Sequence, residues 1–222
     1  MANGPKACEA SYSLHEEIAN AITHGLACAL SIAGLVLLII FAIRYTDSAL
    51  TLTSVIVFGA SLVLLYLTST LYHAIPFRRP KKILQQLDHS MIYVLIAGSY
   101  TPFCLVVLKG MTGIALFAFV WAIAVFGIVF QRWLLQKSDW LNCGLYLLMG
   151  WSVLPCIKPL VENLPSGGLW LLAAGGVTYS VGVVFYIWQS LKFSHAIWHV
   201  FVLAGSVLQY LAVLLYVIPV LR

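Results

Sequence analysis

The sequence predicts an all-α membrane protein, a seven-transmembrane helix bundle with its N-terminus in the cytoplasm and its C-terminus outside. Three observations lead there. Of its 222 residues 62% are apolar and only 9% are charged, whereas a soluble domain carries roughly 25% charged residues. Apolar runs recur at the length of about 20 residues that a helix needs to cross a bilayer, and the mean hydropathy is +1.00. Lysine and arginine also fall unevenly on alternate loops.

The runs are Ala19–Ile43, Leu50–His73, Asp88–Leu108, Thr112–Phe130, Leu141–Leu160, Leu169–Trp188 and Ala196–Val220. Residues 1–18 form a polar lead with Lys6, Glu9, Glu16 and Glu17, and residues 19–222 form the transmembrane domain. The lead has no apolar stretch of its own, so the first span is expected to serve as an uncleaved signal-anchor. In the third span, Gly98-Ser-Tyr-Thr-Pro102 predicts a kink, because proline removes a backbone donor. The freed carbonyl needs a partner inside the bundle. Pro155 and Pro159 interrupt the end of the fifth span. Gly175, Gly176, Ser180 and Gly182 give the sixth a close-packing face. Trp133, Trp140 and Trp198 stand near predicted helix ends, as interface anchors do.

Orientation follows from the basic residues of the loops. One side carries Lys6, Arg78, Arg79, Lys81, Lys82, Arg132, Lys137 and Lys192; the other carries Arg44, Lys109, Lys158 and Arg222. The first side is therefore cytoplasmic. The net charge of +5 reads as a topology signal, with a contact to lipid headgroups as its other use. No soluble basic surface exists to carry nucleic acid. Cys8, Cys28, Cys104, Cys143 and Cys156 show no paired spacing, which argues against a disulfide framework or a thiolate metal site.

Ionisable groups on membrane helices are costly and mark function. Here they gather at the cytoplasmic ends of three spans. His195 and His199 are four residues apart and share one helix face, where two imidazoles can chelate one metal. His73 ends the second span on the same side. Three imidazoles with one position left open, beside a carboxylate, suit a catalytic zinc ion. Asp88 supplies that carboxylate. It either complements a helix dipole or points inward as a general base acting on an activated water, and the nearby histidines favour the second. His89 projects about 100° away and reads as a hydrogen-bonded histidine. Ser69, one turn before His73, is either a helix-packing hydroxyl or a donor beside the metal. Glu17, Asn20 and His24 share a face of the first span, as a polar network or as supports around the metal.

The same residues resemble a known family. Glu17-Ile-Ala-Asn20-Ala-Ile-Thr-His24, Ser69-x3-His73 with Asp88, and His195-x3-His199 resemble the bacterial hemolysin III-like proteins, within the superfamily of adiponectin and progestin membrane receptors. So do Leu-Tyr-His-Ala-Ile-Pro (71–76), Ala-Gly-Ser-Tyr-Thr-Pro-Phe (97–103) and His-Ala-Ile-Trp-His (195–199). The likeness runs from about Ser13 to Pro219. It implies a seven-helix fold with a cytoplasmic N-terminus. It also implies zinc held by His73, His195 and His199, with Asp88 reaching the metal through water and Ser69 beside it. The family belongs to a wider group of suspected membrane metallohydrolases that includes alkaline ceramidases.

Three functions are expected to compete. The first is a zinc-dependent hydrolase of a lipid amide or ester in the bacterial cytoplasmic membrane, with Asp88 as base and Ser69 as oxyanion donor. The second is a regulator that senses the lipid or membrane state and holds zinc structurally, with His24 or His89 as a closing ligand. The third is a hemolysin-like pore, which the bunching of polar residues at one end disfavours. Membrane lipid is the expected partner in the first two.

Overall fold

The computed structural model describes residues 12–131 and 138–218. Among them there is no strand, and seven helices are long and apolar enough to cross a membrane. The spans are α1 (Leu14–Tyr45), α2 (Ala49–Ala74), α3 (Arg78–Pro102, running on to Leu108 as a π-helical turn), α4 (Gly110–Phe130), α5 (Asp139–Gly150) with α6 (Ile157–Asn163), α7 (Ser166–Ile187), and α8 (Ser194–Ala212, ending in a second π-helical turn to Val217). Trp133, Arg132 and Lys137 lie outside the described residues, as do Lys6, Cys8 and Arg222.

Helix ends account for most differences from expectation. α1 begins at Leu14 because Ser13 and Glu16 form a reciprocal capping box, which satisfies donors that a helix start otherwise leaves open. α3 begins ten residues before Asp88. Its polar first turns lie outside any apolar run, and Pro80 in the first turn costs no hydrogen bond. Asp88 is therefore an interior residue of α3, about 15 Å from its start. The dipole reading of Asp88 fails, since that effect fades within the first turn.

Pro102 and Pro155 act as expected, whereas Pro159 interrupts no helix. The π-helical turn starts directly after Pro102, where the missing donor forces the ladder to re-register. Thr101 and Pro102 are buried, so the kink faces the bundle. The fifth span breaks at Trp151, whose carbonyl is the one the Pro155 ring would strike. Pro159 then sits in the first turn of α6, where proline is tolerated.

Lipid gives little hydrophobic drive for helix association, so packing relies on small residues and buried hydrogen bonds. α1 packs on α2 and α8, α2 on α3, and α7 on α8. Gly98 sits against Ser61, and a methyl group at Gly127 would lie 2.6 Å from the Tyr93 ring. On α7, Gly175 faces Gln209 and Gly182 faces Phe201, both on α8, while Gly176 faces Trp151 and Ser180 accepts a bond from the Trp151 indole at 3.1 Å. Tyr66 of α2 donates to Ser206 of α8 at 2.7 Å, and Tyr179 of α7 meets the same hydroxyl at 2.9 Å. These contacts fix α2, α7 and α8 to one another.

Candidate metal centre

His73 is in the last turn of α2, and His195 and His199 are in the first two turns of α8. α8 starts from Phe193, whose φ of 59° is unusual for a residue with a side chain. Glu16 of α1 accepts from the Phe193 backbone N–H at 3.1 Å and holds that turn. As a result the pair on α8 faces His73. Ring centroids are 5.1 Å apart for His73 and His195, 5.2 Å for His73 and His199, and 4.6 Å for His195 and His199. All three are buried, and one ligand atom from each lies within 4.8 Å of the others.

The unused atoms are informative. The Nε2 atoms of His73, His195 and His199 are all buried without a hydrogen-bond partner. An unpaired buried polar atom is destabilising by about 1–3 kcal/mol, and an ion held by the three residues would relieve that cost. Three imidazole nitrogens fit a borderline-soft divalent metal.

Around them the expected supports take different places. Glu17 accepts from His73 Nδ1 at 2.6 Å and pairs with Lys81 at 2.8 Å. Lys81 also donates to the Tyr72 carbonyl at 3.0 Å, tying the α2–α3 turn to α1. The Asn20 amide nitrogen lies 3.4 Å from His73 Nδ1. His24 does not join the triad. Its ring stacks on His199, with centroids 3.4 Å apart, and meets Tyr66 edge-on. Ser69 and Asp88 are buried at 0% and 4% exposure. His89 lies outside the site, its Nδ1 3.4 Å from the Gln131 amide, as its helical position required.

Three residues take places at the site that the sequence reading did not assign to them. Thr23 places its hydroxyl 3.2 Å from His199 Nδ1. Tyr12 lays its ring over His195 at 4.9 Å and His73 at 5.8 Å. Lys81 pairs with Glu17. Thr23 follows Asn20 by three residues and Glu17 by six, so the polar stripe of α1 already contained it. Trp198 is a correction in the other direction. It is no interface anchor but is buried at 8% exposure, packed on His195, His199 and Tyr186 with centroids 4.9–5.4 Å away.

Two adjoining cavities lead away from the centre. One, of about 120 Å³, is lined by His24 and Asp88 at one end and by Ile92, Leu95, Tyr179 and Val202. The other, of about 440 Å³, shares Ser99, Tyr100, Trp151, Gly176 and Gln209 with it. Leu154, Ile157, Val161 and Trp170 line the larger cavity and are also exposed on the outside of the helices. The space is apolar and open sideways, between α3, α5–α6 and α7.

The family model described as Haemolysin-III related matches residues 12–210. The chain is 50% identical over 209 residues to "Hemolysin-3 homolog" of Bacillus subtilis (strain 168), covering 94% of this chain and 98% of that protein. It is 48% identical over 204 residues to "Hemolysin-3" of Bacillus cereus, covering 92% and 93%. A human protein, "Monocyte to macrophage differentiation factor", is 29% identical over 205 residues, covering 90% and 83%. With seven spanning helices, a buried histidine triad and these matches over nearly its whole length, the chain is a multi-pass membrane protein belonging to the haemolysin-III related family.

Proposed function

We propose that the protein is a zinc-dependent hydrolase of a lipid amide or ester, working at the cytoplasmic face of a bacterial inner membrane. One observation carries this reading: the triad, with its Nε2 atoms unpaired, stands beside a buried carboxylate, Asp88, that lines an apolar cavity. A zinc ion, when bound by His73, His195 and His199, supplies Lewis acidity and lowers the pKa of water to roughly 7.

The chain's own residues do the rest. The cavity takes the acyl chain, which enters from lipid past Leu154 and Val161. Asp88 accepts the proton of the attacking water and returns it to the leaving amine or alcohol. Ser69, whose buried hydroxyl lies against the Asp88 carboxyl, donates to the carbonyl oxygen as negative charge develops. The surrounding Tyr66, Tyr179 and Trp198 rings keep bulk water out.

The experiment is metal analysis of purified protein together with turnover across ceramide, N-acyl and phospholipid panels. Stoichiometric zinc with turnover of one class supports the reading. Stoichiometric zinc with no turnover on any panel removes the hydrolase and leaves the regulator with structural zinc. That second reading has its own support, because the ligands tie together helices from opposite ends of the chain. A pore is the weakest reading, since the cavity lining is apolar and would not conduct ions.

A further inference from the structure

α1 contributes no ligand to the triad, yet its polar stripe touches two of the three ligands on their outward nitrogens. Glu17 Oε2 lies 2.6 Å from His73 Nδ1 and Thr23 Oγ1 lies 3.2 Å from His199 Nδ1. A neutral imidazole donates from one nitrogen and accepts at the other, so the partner of Nδ1 decides what Nε2 can do.

At His73 the partner is a carboxylate held by Lys81. It can only accept, so Nδ1 carries the hydrogen. The Asn20 amide at 3.4 Å is too distant to reverse this. At His199 the logic runs through Thr23. A hydroxyl has one hydrogen, and that of Thr23 is directed to the backbone carbonyls of Ala19 and Asn20, both at 2.9 Å. Toward His199 the oxygen is left only as an acceptor. The Asn20 carbonyl faces the same ring and can likewise only accept. Both histidines are therefore fixed with hydrogen on Nδ1 and a lone pair on Nε2, and both Nε2 atoms are the buried, unpaired ones.

We infer that Glu17 and Thr23 are positioning residues: α1 sets the tautomer and ring orientation of His73 and His199, so that the site is preformed for a divalent metal. The inference rests on the metal-binding part of the proposed function and not on catalysis. Partners of this kind typically change metal affinity 10- to 100-fold when removed.

The test is the zinc dissociation constant of the purified full chain, measured by competition with a chelator, for Thr23→Val, Thr23→Ser, Glu17→Leu and Glu17→Gln. Valine matches threonine in shape and lacks the oxygen; serine keeps it. Thr23→Val is expected to weaken zinc binding about 10- to 100-fold and Thr23→Ser to stay near wild type. Glu17→Gln, whose carbonyl still accepts, is expected to lose less than Glu17→Leu. The melting temperature of the metal-free variants separates positioning from scaffolding. Loss of affinity at unchanged melting temperature supports the inference; lower melting temperatures with unchanged affinity overturn it. Wild type that binds no zinc overturns it together with the hydrolase, whereas wild type that binds zinc without lipid turnover sinks the hydrolase alone.

Discussion

The imidazole of His24 lies flat on that of His199, with centroids 3.4 Å apart and planes 10° from parallel. Such a stack fixes the plane of His199 without using either nitrogen of His24. His24 thus separates into a packing role toward His199 and a polar edge toward the cavity.

His24→Phe should accordingly retain zinc, because a phenyl ring keeps the stack and no ligand atom is lost. His199→Ala should abolish stoichiometric zinc. Elemental analysis of the two purified variants beside wild type checks the contrast, and zinc loss in His24→Phe would return His24 to the ligand set.

Asp88→Ala should keep most of its zinc and lose at least about 100-fold in turnover, the lower end of what a general base contributes. Single-turnover rates on whichever lipid the wild type hydrolyses, normalised to zinc content, measure this.

Gly176 lies where the two cavities meet, on the face of α7 toward Trp151. Gly176→Leu should block the passage far from the triad. Turnover of long-chain substrates should fall while zinc content and turnover of short-chain analogues hold. A uniform fall across chain lengths would mean that the acyl chain lies elsewhere.

Two glycines offer a stability contrast. At Gly127 an added methyl meets the fully buried Tyr93 ring at 2.6 Å, whereas at Gly144 nothing lies within 4 Å. Gly127→Ala should destabilise by about 1–3 kcal/mol through overpacking. Gly144→Ala, inside α5, should be neutral or stabilise by about 0.5–1 kcal/mol through helix propensity. Thermal unfolding in one detergent reads both.

The spans were legible because a bilayer leaves a chain few options, and each run of apolar residues had to become a helix. The starts of α1 and α3 were not, because polar turns extending beyond the apolar region carry no hydropathy contrast. Ser13 and Glu16 did spell a capping box. His195 and His199 could be paired by their spacing, and His73 by its place at a helix end. The partners were harder. Thr23 is an ordinary threonine until α8 brings His199 beside it, and Lys81 is one of four loop cations until α1 delivers Glu17. Trp198 was misplaced because its position near a helix end resembles an anchor, while its ring is packed against His195, His199 and Tyr186.

His73 stands on the second span, and its two companions stand on the last described helix. A ribosome therefore releases one ligand early and the other two only after every intervening helix has been made. Capture of a metal by the full triad would then be a late event in biogenesis, and an ion seated there would certify that the bundle has closed. Chains truncated before α8 should emerge with the spans present and the lock missing.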